Sequence, residues 1–128
     1  GAEVALVPVV GAQLWLPAVM EAHHAQVPLV VISADRPAAL VGFGANQTTD
    51  QARLFEPFVR WSARVSSGAP AASWTAQAAK ACLIAAGSAS RHPGPVHLNV
   101  ELAEPLVGDS DEPVDARCGN RLRLGQNR

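Results

Sequence analysis

At 128 residues, with 48% hydrophobic and 16% charged residues, the chain is long enough for one core and too apolar to remain disordered. A formal net charge of −1 and a pI near 6.5 exclude the basic footprint that binding to nucleic-acid phosphates requires. Two distant cysteines, Cys82 and Cys118, form neither a CxxC pair nor a disulfide framework, which points to a reducing, cytoplasmic setting.

The apolar stretch Val4 to Val10 is interrupted by Pro8 and falls short of the ~20 residues of a membrane span. No basic side chain precedes it, so it does not read as a signal peptide, and an opening on Gly1 suggests a piece of something longer or a processed chain. Val4 to Val7 is expected to be a buried strand, followed by a helix within Ala12 to His24 that Pro17 forces to begin near Trp15. Pro28 then introduces Leu29 to Ile32, a β-branched run of the kind buried on both faces of a parallel sheet.

Asp35-Arg36-Pro37 ends that strand, and the glycine-rich loop Gly42 to Gln47 follows. Thr48 and Gln51 have the spacing of a capping box, predicting a short helix to about Phe55. Between Val59 and Val65, apolar and polar residues alternate as in a strand at a sheet edge. Ser73 is a candidate cap for an alanine-rich helix that stops at Gly87, and Pro95 to Val100 forms the last strand. Strands alternating with helices predict an α/β domain with a mostly parallel sheet flanked by helices. Residues 1–107 read as that domain, and the polar stretch 108–128 as linker or tail.

Ligands of open α/β sheets bind beyond the carboxyl ends of strands, which makes Arg36 a candidate: its guanidinium matches a carboxylate or phosphate with two parallel hydrogen bonds. The alternative is a turn in which Asp35 and Arg36 cap the backbone or pair with surface charges. Asn46 and Gln47 carry amides on a loop ahead of a predicted helix start, suited to an oxygen-rich ligand, although Asn and Gly are also ordinary turn residues. The four histidines form no constellation: His23 and His24 are adjacent, His92 lies in a turn and His97 sits among apolar strand residues. There is no GxGxxG, P-loop or GxSxG signature.

Pro28-Leu-Val-Val-Ile-Ser-Ala-Asp-Arg-Pro37, Gly44-Ala-Asn-Gln-Thr48 with Asp50-Gln51, Gly94-Pro-Val-His-Leu-Asn99 and Glu104-Pro-Leu106 together resemble the menaquinone-pathway synthases of the MenD family, from about Pro17 to Val107. The resemblance implies the N-terminal pyrimidine-binding domain of a thiamine-diphosphate enzyme. That enzyme decarboxylates 2-oxoglutarate and adds the succinyl carbanion equivalent to isochorismate, and the family enzymes are homo-oligomers. It also implies that Arg36, Asn46 and Gln47 hold the substrate-derived part of the intermediate. Where the family has a Thr-Ser-Gly-Thr turn, this chain has Val7-Pro-Val-Val-Gly11. The family's ring-activating glutamate lies upstream of the matched stretch, and its diphosphate-binding, magnesium-holding domain has no counterpart here. The chain is therefore expected to be a fragment, inactive and without bound thiamine diphosphate or Mg2+ by itself. The competing readings are an acetolactate-synthase-like domain, which would share Gly94-Pro95-Val96, and a noncatalytic α/β module binding a partner.

Overall fold

The computed structural model describes residues 3–7, 11–40, 42–44, 49–88 and 92–104. Strand β1 (Glu3–Val7), helix α1 (Leu16–His24), strands β2 (Leu29–Asp35) and β3 (Ser62–Ser66), helix α2 (Ala71–Ala85) and strand β4 (Pro95–Glu101) follow in chain order. The four strands form one sheet in the order β1-β2-β4-β3, and all three pairings are parallel. The expected parallel α/β architecture is thus present, with β2 and β4 at its centre and β3 on an edge.

Period-two alternation assigns the strand side chains to two faces. On one face, Val30 and Ile32 of β2 and Val96, Leu98 and Val100 of β4 pack with Val65 against Ala81 and Ala85 of α2. On the other, Leu29 and Val31 meet Val19, Leu16 and Phe55. The β-branched run thus has apolar cover on both sides, which is the physical reason it is continuous.

Helix α1 begins where Pro17 requires. A 3-10 turn at Ala12–Trp15 leads in, and Pro17 occupies the first turn of α1, where its missing N–H leaves no intrahelical bond unmade. Helix α2 starts earlier than a Ser73 cap would place it. Pro70, with extended backbone, precedes Ala71, and its carbonyl accepts from Ser73 and Trp74, so Ser73 lies inside the first turn. The helix stops at the expected Gly87: its N–H donates to Ile84 O, and Ser88 N–H reaches back to Leu83 O, satisfying two carbonyls of the last turn.

Two other expectations are corrected. The edge strand begins at Ser62, because the preceding chain still turns: Val59 N–H donates to Phe55 O, and Val59 joins the cluster on the α1 face. The short helix after the glycine-rich loop is reduced to a 3-10 turn at Gln51–Arg53, preceded by Asp50 without a side-chain cap. Gln51 does not reach back as a capping residue; its side chain is buried under the sheet. Thr48, its expected partner, lies outside the described residues, as do Asn46, Gln47 and the whole of 108–128. No helix among the described residues is long and apolar enough to cross a membrane.

Candidate functional site

The α1-side face of the sheet changes character along its length. Toward the amino ends it carries Leu29 and Val31. From mid-strand, at His97, to the carboxyl ends it carries His97, Ser33, Asn99 and Asp35, all buried, together with Gln51 from the 51–53 turn. Parallel register sets Ser33 beside Asn99 and Val31 beside His97. A cluster of this polarity in a core persists only if its members satisfy one another.

Most of their polar atoms do so, in a chain of defined direction. Asp35 Oδ2 accepts from Asn99 Nδ2 at 2.8 Å, and its Oδ1 accepts the Arg36 backbone N–H, also at 2.8 Å. Because a carboxylate can only accept, Asn99 must present its amide nitrogen to Asp35 and its oxygen to the other side. That Oδ1 accepts from Ser33 Oγ at 2.8 Å and from Gln51 Nε2 at 3.2 Å. The single Ser33 proton is thereby committed, so His97 Nε2, 2.7 Å from Ser33 Oγ, is the donor in that pair.

His97 is wholly buried, with the edge of Phe55 against its ring at 4.9 Å between centroids. Burial pushes its pKa down to about 4, overcoming the Ala52 backbone and the Asp35 charge, which act in the opposite direction. Its Nδ1 and Gln51 Oε1 are buried without a hydrogen-bond partner among the described residues.

This network organises the carboxyl end of β2. Gln51 Nε2 also donates to Ala34 O at 2.7 Å, pinning the segment that follows Asn46 and Gln47 to the end of β2. Leu102 N–H donates to Asp35 O, carrying the chain past β4 at the same edge. Arg36 emerges immediately beyond, with a side chain about one-third exposed whose Nη1 lies 4.0 Å from Glu104 Oε1. At that separation, and with Glu104 largely exposed, the pairing is weak. Alongside, Asp50 joins Arg53 at 2.6 Å and Arg64 at 3.8 Å, and Arg64 reaches Glu101 at 3.4 Å. The Arg53 hydrogen bond is the main reason the Asp50 carboxyl is held below its ordinary range.

Arg36 therefore stands at the predicted carboxyl-end position. Gln51, four residues after Gln47, is held at the same end, while Asn46 and Gln47 lie outside the described residues. Asp35 accepts the Arg36 N–H as the alternative turn reading has it, but sequence reasoning missed the network of Ser33, Gln51, His97 and Asn99 beneath Arg36. The available signal was the polar pairs Ser33/Asp35 and His97/Asn99, each spaced by two among apolar neighbours.

No family model matches the sequence. Among curated proteins it is similar to the 2-succinyl-5-enolpyruvyl-6-hydroxy-3-cyclohexene-1-carboxylate synthase of Kineococcus radiotolerans, 54% identical over 96 residues, covering 71% of this chain and 17% of that protein. The synthase of the same name from Arthrobacter sp. (strain FB24) is 45% identical over 125 residues, covering 94% and 20%. That from Geobacillus thermodenitrificans is 44% identical over 104 residues, covering 78% and 17%. The chain spans about a fifth of the length of these relatives. Coverage of 94% exceeds what residues 1–107 make up, so the Arthrobacter similarity runs into the stretch expected to be linker or tail.

Proposed function

We propose, from the premise that the chain belongs to the 2-succinyl-5-enolpyruvyl-6-hydroxy-3-cyclohexene-1-carboxylate synthase family, that it supplies the isochorismate-holding wall of such an enzyme. The complete enzyme is a thiamine-diphosphate-dependent, cytoplasmic homo-oligomer of menaquinone biosynthesis that joins decarboxylated 2-oxoglutarate to isochorismate. Arg36 grips a substrate carboxylate with its planar fork, and Asn46 and Gln47 hold oxygens of the same ligand. The observation that carries the reading is the placement of Arg36. It stands beyond the carboxyl end of a central parallel strand, with its backbone N–H fixed by a buried aspartate and its head group in a loose 4.0 Å pairing with Glu104.

The described residues do not fit the other end of the cofactor. No three of their His, Cys, Asp or Glu side chains come together as a cation site, and the buried polar donors beside Arg36 are committed to one another. Thiamine diphosphate and Mg2+ belong, in this reading, to the complete enzyme.

Steady-state kinetics test the assignment, with this segment replacing the matching one in the Kineococcus radiotolerans synthase. Arg36→Lys keeps the charge and loses the fork, so KM for isochorismate should rise about tenfold or more, the worth of one charge-assisted hydrogen bond. KM for 2-oxoglutarate should stay within about twofold. An unchanged KM for isochorismate would remove Arg36 from the substrate site.

A further inference from the structure

Both approaches to the proposed site converge on the side chain of Asn99. From the β2 side, Asp35 is held by Asn99 Nδ2 at 2.8 Å and in turn accepts the Arg36 N–H at 2.8 Å. From the loop side, Gln51 is held by Asn99 Oδ1 at 3.2 Å while it grips the Ala34 carbonyl at 2.7 Å. Behind these, Ser33 donates to the same Oδ1 and accepts from His97 Nε2. The node is 1% exposed. Water therefore does not compete for these bonds, and their directions are fixed by what each partner can donate or accept.

We propose that Asn99 is a positioning residue for substrate binding. Through Asp35 it sets the backbone from which Arg36 projects, and through Gln51 it sets where the segment carrying Asn46 and Gln47 rejoins the sheet. It touches no substrate. A side chain that only filled this space would be replaceable by any group of its size. A positioning residue must present an acceptor to Ser33 and Gln51 and a donor to Asp35.

That requirement makes the inference testable by exchanging chemistry at constant shape. Asn99→Asp keeps the acceptor toward Ser33 and Gln51 but sets a second carboxylate against Asp35. Two carboxylates at hydrogen-bond distance cannot both ionise easily, so one proton is retained between them into a higher pH range. Adding Asp35→Asn exchanges donor and acceptor: the amide introduced at position 35 donates to the carboxylate introduced at position 99, and its oxygen still accepts the Arg36 N–H. Net charge and every hydrogen bond of the node are kept.

The experiment follows backbone amides of the full 128-residue chain by 15N NMR and hydrogen exchange across pH. In Asn99→Asp, the Arg36 amide should exchange about tenfold faster or more than in the parent chain, consistent with loss of one hydrogen bond to a charged group. It should also acquire a new pH-dependent shift, while amides of Val30 and Val96 on the opposite face keep their protection. In the exchanged pair the new step should vanish and Arg36 protection return to within about twofold of the parent. A uniform loss of protection in Asn99→Asp, or an Arg36 amide indifferent to it, overturns the proposal. Should Asn99→Asp fail to fold, the exchanged pair decides alone: the proposal requires it to fold with Arg36 protected, and is overturned if it does not. The inference rests on the assignment of Arg36 to isochorismate, yet the two fail separately. Arg36→Lys kinetics can remove the substrate role while this network responds as described, and an unresponsive Arg36 amide can remove the positioning role while Arg36→Lys still raises KM.

Discussion

The two faces of the central strands use opposite means to the same end. Against α2, Val30, Val96 and Leu98 meet Ala81 and Ala85 in a purely apolar layer, stabilised by area removed from water and indifferent to direction. Beneath the 51–53 turn, Ser33, Asp35, His97 and Asn99 occupy the equivalent depth with directed hydrogen bonds. The apolar face makes the domain stable. The polar face contributes less net energy per group, because each bond replaces one to water, but it fixes where the backbone leaves β2. The difference teaches that, among the described residues, buried polarity runs from mid-strand to the carboxyl ends on this one face, where Arg36 emerges.

If that contrast is right, errors on the two faces should differ in size and kind. The largest loss should come from Asn99→Leu, which has nearly the right volume but leaves Asp35 Oδ2 and the Ser33 hydroxyl without their partner. At ~1–3 kcal/mol for each orphaned group, denaturant unfolding should show a loss of roughly 4 kcal/mol. A loss below about 1 kcal/mol would mean that the network is ornamental.

Acid should come next. His97 is held neutral in the folded chain down to about pH 4, against an ordinary value of 6.5. Above pH 6.5 both folded and unfolded chains carry it neutral and its effect on stability is constant. As pH falls from 6.5 towards 4, only the unfolded chain takes up the proton, so stability declines, by up to about 3 kcal/mol at ~1.4 kcal/mol per unit. Urea titrations at about pH 7 and about pH 4.5 measure the loss, and the His97 ring resonances should move only near pH 4. A His97 ring titrating near its ordinary 6.5 would show that its site is wet.

The smallest effect is expected on the apolar face. Ala81→Leu overfills the seam between α2 and the sheet, where Ala81 is fully buried, and should cost ~1–3 kcal/mol with little dependence on pH. Thermal unfolding at two pH values checks both statements. A pH-dependent penalty there would erase the distinction between the faces.

These effects also explain what was legible in the amino-acid sequence. The β-branched run at Leu29 to Ile32 and the alanine-rich segment ending at Gly87 state their structures locally, through burial and helix propensity, so β2 and α2 were foreseeable. The position of Arg36 followed, since it needs only the end of β2. The network did not, because Ser33 and Asn99 are separated by 66 residues and meet only through parallel register. Gln51 misled for a related reason. Its spacing from Thr48 suggests a local cap, whereas a buried amide under the sheet recovers a better bond at Ala34 O. Gly94 is another case: a Cβ there would meet Arg60 Nε at 2.6 Å, a close approach that Gly94-Pro95-Val96 does not reveal.

The most direct test of the central claim is a crystal structure of the reconstituted synthase with isochorismate bound. The Arg36 guanidinium should form two parallel hydrogen bonds with a ligand carboxylate, with Asn46 and Gln47 on the same ligand and Asn99 still donating to Asp35 beneath them. Isochorismate seated away from the carboxyl ends of β2 and β4, with Arg36 turned to Glu104 or solvent, would contradict it.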